Sequence, residues 1–175
     1  APSHEMITRY KYNMFNLVRW QETPDGGITE FWYDKAGRLL LSQNARQRPN
    51  DQYSYTLYDA QSRVTEVGQA EISDATIFAD SISGGPSIIG YSTYQSEIDM
   101  KTKDQITKTY YDTVFMEKYL SYFDWGQRHL RSRVSAVTYQ ENAGQDFDYA
   151  TIMSYDAVGN IREILQVFPE LEHLN

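Results

Sequence analysis

One short phrase occurs four times in this chain, and a chain that repeats itself is confined to folds in which each copy rests on the next. The copies are Tyr12-Asn13-Met14-Phe15-Asn16-Leu17-Val18, Tyr33-Asp34-Lys35-Ala36-Gly37-Arg38-Leu39, Tyr58-Asp59-Ala60-Gln61-Ser62-Arg63-Val64 and Tyr155-Asp156-Ala157-Val158-Gly159-Asn160-Ile161. A fifth, Tyr111-Asp112, keeps only the opening pair and lacks the Gly and Arg of the phrase. The tyrosines are 21, 25, 53 and 44 residues apart, and the two long steps read as two periods with a degenerate unit skipped. A lone unit cannot fold. Ordering its backbone costs about 20–40 kcal/mol, whereas one buried Tyr returns at most ~4 kcal/mol.

The phrase has a local mechanism. The Asp of each Tyr-Asp pair is placed to close an Asx-turn onto the backbone two residues on. Gly37 and Gly159 fall four residues after their Tyr, where a tight turn needs a left-handed residue. Asn16 suits that position and Ser62 suits it less. Strands are expected at Ile7–Asn13, Leu17–Glu22, Ile28–Tyr33, Arg38–Asn44, Tyr53–Tyr58 and Arg63–Gln69, with Pro24-Asp25-Gly26-Gly27 as a hairpin turn. In Tyr53-Ser54-Tyr55-Thr56-Leu57 the large residues alternate strictly. Val134–Tyr139 and Thr151–Tyr155 are β-rich but alternate less cleanly, as strands covered on both faces would. Residues 71–104 break the rhythm, with a loop signal at Ser81–Ser87, and read as an irregular or elaborated unit of a single region, 1–175. Val114–Trp125 fits either a short helix or an irregular aromatic segment under the sheet.

The phrase with its period resembles the YD-repeat or Rhs (rearrangement hotspot) family. Phe31–Asn44, Tyr53–Gln69 and Leu130–Val134 with Tyr149–Ile161 look like the versions in long Bacteroidota-type members. The resemblance covers nearly the whole chain and is weakest over 71–104. It implies a mainly β fold, an antiparallel β-hairpin array coiled into a curved, spiralling sheet that is part of a β-shell. In that family the shell encloses a toxin or effector cut from the chain's end. A piece of 175 residues is then an excerpt of the wall or a shortened relative. The Asp-Pro-x-Gly signature of the self-cleaving core does not occur, nor does a variable toxin domain, so no catalytic residue carries over and no enzyme is expected.

Composition narrows the partners. A net charge of −8 argues against nucleic acid and anionic lipid. No run is long enough for a membrane span. The absence of Cys removes disulfides, thiolate metal sites and Cys nucleophiles together. No cofactor and no metal site is expected. His4 and His173 lie near the termini. His129 could act as a base with Asp124, but no nucleophile accompanies it. Glu141, Asp146 and Asp148 could hold Ca²⁺ weakly, yet a solvated hairpin tip predicts the same residues. Paired carboxylates for glycoside cleavage cannot be chosen from sequence.

Two functions stand. The first is a structural segment of a shell that encapsulates or presents an effector, secreted or at the cell surface. Its partners are the rest of a longer chain, or another copy joined through open sheet edges. The second is a cell-surface carbohydrate-binding or adhesion module stacking sugars on Trp20, Trp32 and Trp125. Against it, aromatics that follow a repeat more simply ladder across neighbouring strands.

Overall fold

The structure, a computed structural model, describes residues 6–73 and 91–170. It is mainly β. The ten strands are β1 (Arg9–Tyr12), β2 (Val18–Thr23), β3 (Gly27–Tyr33), β4 (Leu39–Gln43), β5 (Gln52–Tyr58), β6 (Val64–Glu71), β7 (Lys103–Tyr111), β8 (Val134–Asn142), β9 (Tyr149–Tyr155) and β10 (Ile161–Val167). They form one open antiparallel sheet in chain order, β1 to β10. Each expected strand is present within a few residues of its expected bounds. Lys103–Tyr111 and Ile161–Val167 are strands that the sequence reading did not assign.

Every repeat Tyr ends an odd-numbered strand, and the phrase turns the chain into the next even one. Among the described residues the long steps therefore hold no skipped hairpin, because β6 is followed in the sheet directly by β7, and β8 by β9. The extra length is inserted into connections instead. One insertion lies between β6 and β7 and carries helix α1 (Tyr91–Asp99); its Ser81–Ser87 loop signal falls outside the described residues. The other occupies 113–131, between β7 and β8.

A bulge recurs at the same place in four hairpins. Tyr12 pairs with Val18 although Lys11 pairs with Trp20, which leaves Arg19 as the extra residue. Leu40, Ser135 and Arg162 are the extra residues after Tyr33, Tyr111 and Tyr155. A bulge breaks strict alternation and re-aims side chains. That is why the consecutive pairs Leu40 with Leu41 and Ser135 with Ala136 are buried together, and why β8 alternates loosely in sequence.

The chain divides into two compact units, Ala1–Leu57 with Gly68–Lys103, and Tyr58–Val67 with Asp104–Asn175. In the first, Trp32, Leu40, Leu41, Tyr53, Tyr55 and Leu57 are buried with Ile72, and α1 adds Tyr94 and Ile98. Those two are four residues apart and so share one helix face. The Tyr94 hydroxyl donates to the Leu40 carbonyl at 2.7 Å. In the second unit, Tyr119 and Phe123 pack with Ala136, Ala150, Ile152 and Val167. The segment expected as helix or irregular aromatic chain is a 3-10 helix over Glu117–Tyr122, with Tyr119 as its buried residue.

Candidate functional site

The feature that recurs with full stereochemistry is the repeat turn. In the second copy, Asp34 Oδ1 accepts the backbone N–H groups of Ala36 and Arg38, both at 2.9 Å. The Asp34 N–H donates to the Arg38 carbonyl at 2.9 Å, closing the hairpin. Oδ2 receives Arg38 Nε at 2.6 Å. One carboxylate thus satisfies two turn amides and one guanidinium. Gly37 provides the left-handed residue, at φ +79°, which costs a side chain about 1–2 kcal/mol.

The other copies keep the geometry with different side chains. Asp59 Oδ1 accepts Gln61 and Arg63 N–H at 2.9 Å, and Oδ2 receives Arg63 Nε at 2.7 Å. Asn13 Oδ1 accepts Phe15 and Leu17 N–H at 3.0 and 2.9 Å. Asp156 Oδ1 takes Val158, Gly159 and Asn160 N–H, and Asn160 Nδ2 replaces the guanidinium at 2.9 Å from Oδ2. Asn16 and Ser62 hold the left-handed position at φ 61° and 63°. Gly159 holds it at φ +104°.

The fifth copy is interrupted rather than degenerate. Asp112 Oδ1 accepts the Ser132 N–H at 2.6 Å, and the Asp112 N–H donates to the Arg133 carbonyl at 3.2 Å. Ser132, at φ 59°, stands where Gly37 and Ser62 stand, and Arg133 and Val134 follow it as Arg63 and Val64 follow Ser62. The Gly and Arg positions missing after Tyr111 are supplied from across the insertion 113–131.

Consecutive copies are joined by their tyrosines. The Tyr33 hydroxyl donates to the Val18 carbonyl, Tyr111 to Val64 and Tyr155 to Val134, each at 2.9 Å. The acceptor is always the residue that opens the strand after the preceding turn. Arg63 lies 4.2 Å from the Tyr111 ring centroid and Arg133 5.4 Å from that of Tyr155, a cation–π contact with the next copy. Arg63 also donates to Asp112 at 2.7 Å, so it joins the carboxylates of two successive copies. Tyr58 ends β5 half-buried.

Charge follows this pattern. At Asp59 desolvation acts upward but is outweighed by hydrogen bonds from Arg63 and Gln61, and its pKa is lowered. Asp112 is held low by Arg63 and then by the Ser132 N–H. Asp156 is held low by the Asn160 side chain and the turn amides. The repeat acids are turn-closing anions.

The other sequence candidates are not gathered into one site. His129 has φ 54°, and its carbonyl accepts Arg133 Nη1 at 2.6 Å. The Asp124 N–H bonds Glu163 at 3.1 Å. Glu141, Asp146 and Asp148 lie at the β8–β9 end, where Asp148 Oδ2 accepts the Glu141 N–H at 2.7 Å; no cluster fit to hold a metal occurs among the described residues. His4 and His173 lie outside the described residues. Trp32 is 5% exposed and meets Tyr53 edge-on, so it has no face to offer a sugar. Lys11 lies over Trp20, and Arg128 and Arg162 lie over the exposed Trp125. Tyr139 and Tyr149 stack across β8 and β9 at 5.2 Å and 19°. Their faces meet each other, as a cross-strand ladder requires. Sequence reading missed Gln127. Its amide donates to the Ser135 and Met153 carbonyls at 2.6 and 2.9 Å and accepts the Phe115 N–H at 3.0 Å, pinning the insertion to two strands.

No protein-family model and no curated protein matches the chain. Among solved structures, a Photorhabdus luminescens Tc holotoxin pore aligns over 94% of this chain with a TM-score of 0.53 and 14% identity. The fold is shared with a stretch of a toxin assembly. This chain spans 7% of the length of that one, and at such identity the likeness speaks for the fold alone. A crystal structure of TcdB2-TccC3-Cdc42 also aligns, at 15% identity over 91% of this chain and 8% of its own. Its TM-score of 0.38 is too low to carry an argument. No helix among the described residues is long and apolar enough to cross a membrane.

Proposed function

We propose that this chain is a non-catalytic structural segment of an Rhs/YD-repeat shell, which encapsulates or presents a toxin or effector outside the cell that makes it, secreted or at the surface. The observation that carries the reading is the copy-to-copy tyrosine bond at Val18, Val64 and Val134. Such coupling extends one sheet by nearest-neighbour contacts, which is how a long wall is built from units too small to fold alone. The fold shared with a stretch of a Tc holotoxin pore supports the same reading. The repeat acids serve the wall, so any chemistry belongs to the enclosed segment. The experiment is protease protection. Produced with its flanking coding sequence, the repeat region is expected to shield a C-terminal segment until the shell is denatured. Digestion at equal rates in native and denatured protein would remove the encapsulating role.

A further inference from the structure

The two insertions share no sequence, yet each sends one buried polar side chain to the same place in the repeat. Leu40 and Ser135 are the extra residues of their bulges, each next to the strand-opening residue of its copy. Thr56 and Met153 each stand two residues before a repeat Tyr. Pairing of β4 with β5 begins only at Leu41 and Tyr55, and that of β8 with β9 at Ala136 and Ile152. Leu40 with Thr56, and Ser135 with Met153, are therefore equivalent pairs lying just beyond the ladder.

Both pairs turn two carbonyl oxygens toward one donor. The Tyr94 hydroxyl, from α1, lies 2.7 Å from the Leu40 oxygen and 3.2 Å from that of Thr56. It also accepts the Thr56 N–H at 3.4 Å. The Gln127 amide, from 113–131, reaches the Ser135 and Met153 oxygens at 2.6 and 2.9 Å. Tyr94 and Gln127 are buried, and so are Leu40 and Ser135, so solvent does not supply the donor. A bulge takes a carbonyl out of the ladder, and a buried carbonyl left unpaired is costly.

We propose that this carbonyl pair is a binding site built into the repeat, one that takes a single neutral donor, a phenol or a carboxamide, and so fastens non-repeat chain to the sheet. An α-helix and the stretch after a 3-10 helix meet it with different groups, so the site belongs to the hairpin and not to the insertion. A carboxylate would set its own oxygens against two more and has no proton to give. This fastening role rests on the repeat reading given above but not on what a shell encloses.

Tyr94→Phe and Gln127→Met keep most of the bulk of each side chain and remove its donor. Amide exchange is followed by mass spectrometry in the full chain. Tyr94→Phe should speed exchange over α1 at least about five-fold, the worth of one hydrogen bond, and leave 113–131 as it was. Gln127→Met should do the reverse. In Tyr94→Ala, 4-methylphenol supplied from solution should slow the exchange again. Toluene, which fills the same space without a donor, should not. Unchanged exchange in the two bulk-conserving variants, acceleration of both insertions by either one, or 4-methylphenol acting no better than toluene overturns the proposal. None of these results alters protease protection of a C-terminal segment, so the shell reading stands or falls separately.

Discussion

Tyr155 donates its hydroxyl to the carbonyl of Val134, 21 residues earlier, at 2.9 Å. The bond joins the end of one repeat to the start of the strand before it. Tyr155→Phe keeps the ring under Arg133 and removes the donor alone. Unfolding stability should fall by about 1 kcal/mol, or somewhat more because the acceptor is left half-buried. Tyr12→Phe should leave the stability of the monomer unchanged. Urea denaturation of both variants checks the contrast, and equal losses would contradict it.

The turn carboxylate does two jobs that a pair of substitutions separates. Asp34→Asn keeps an acceptor at Oδ1, as Asn13 shows is sufficient in the first copy, and loses the ion pair to Arg38. Asp34→Ala also strips the Ala36 and Arg38 N–H groups of their partner. Asp34 is 7% exposed, so water does not readily replace it. The expected losses are about 1 kcal/mol for Asn and about 3 kcal/mol for Ala. Thermal and chemical unfolding should both give that order.

How much of this was readable beforehand depends on whether the signal was local. Asp34, Gly37 and Arg38 fall within five residues, and so the phrase disclosed both turn and strand ends. Ser132 and Arg133 perform the same roles for Asp112 from the far side of an insertion, where no local pattern connects them. Helix α1 was missed because Tyr94 and Ile98 are its only buried residues, too few to mark a face. Gln127 carries no signal at all: a buried amide satisfied by three backbone groups is written only in the tertiary structure.

Acid should weaken the second unit through its turns. Asp59, Asp112 and Asp156 are depressed in the folded chain. Each therefore contributes stability present above the ordinary carboxylate pKa of about 4 and lost as pH falls through the folded value. Asp104 has the opposite sign. Desolvation and then Glu141 raise it, and its Oδ1 is buried without a partner. Its contribution is present below the ordinary value and lost as pH rises through the raised one. Denaturation midpoints taken between about pH 2 and 6 should be less acid-sensitive in Asp112→Asn, with the remainder carried by Asp59 and Asp156. Asp104→Asn should gain stability at neutral pH.

The left-handed position offers a stabilising change. Ser132 sits at φ 59°, a conformation that costs a residue with a Cβ about 1–2 kcal/mol. Glycine relieves that cost and gives back about 0.5–1 kcal/mol through its freer unfolded chain. Ser132→Gly should therefore stabilise by about 0.5–1 kcal/mol, because its N–H to Asp112 is kept. Gly37→Ala should lose a similar amount at the matching position, where the nearest atom to an added Cβ is 3.6 Å away and strain acts without a clash. Melting shifts of opposite sign confirm the assignment of Ser132 to the repeat turn; shifts of one sign refute it.

The insertion 113–131 is held by Gln127. Replacing it with Ala leaves the Ser135 and Met153 carbonyls and the Phe115 N–H without their partner at once. Gln127 is 8% exposed, so solvent reaches those groups poorly. Stability should fall by about 2–4 kcal/mol, within the range for several unsatisfied buried groups. Because the pairings of β7 with β8, β8 with β9 and β9 with β10 do not run through Gln127, the strands should persist while the insertion loosens. Amide exchange read by mass spectrometry should then speed up first at Phe115 and last in β8. Uniform acceleration across β7 to β10 would mean that Gln127 supports the sheet itself rather than the insertion lying on it.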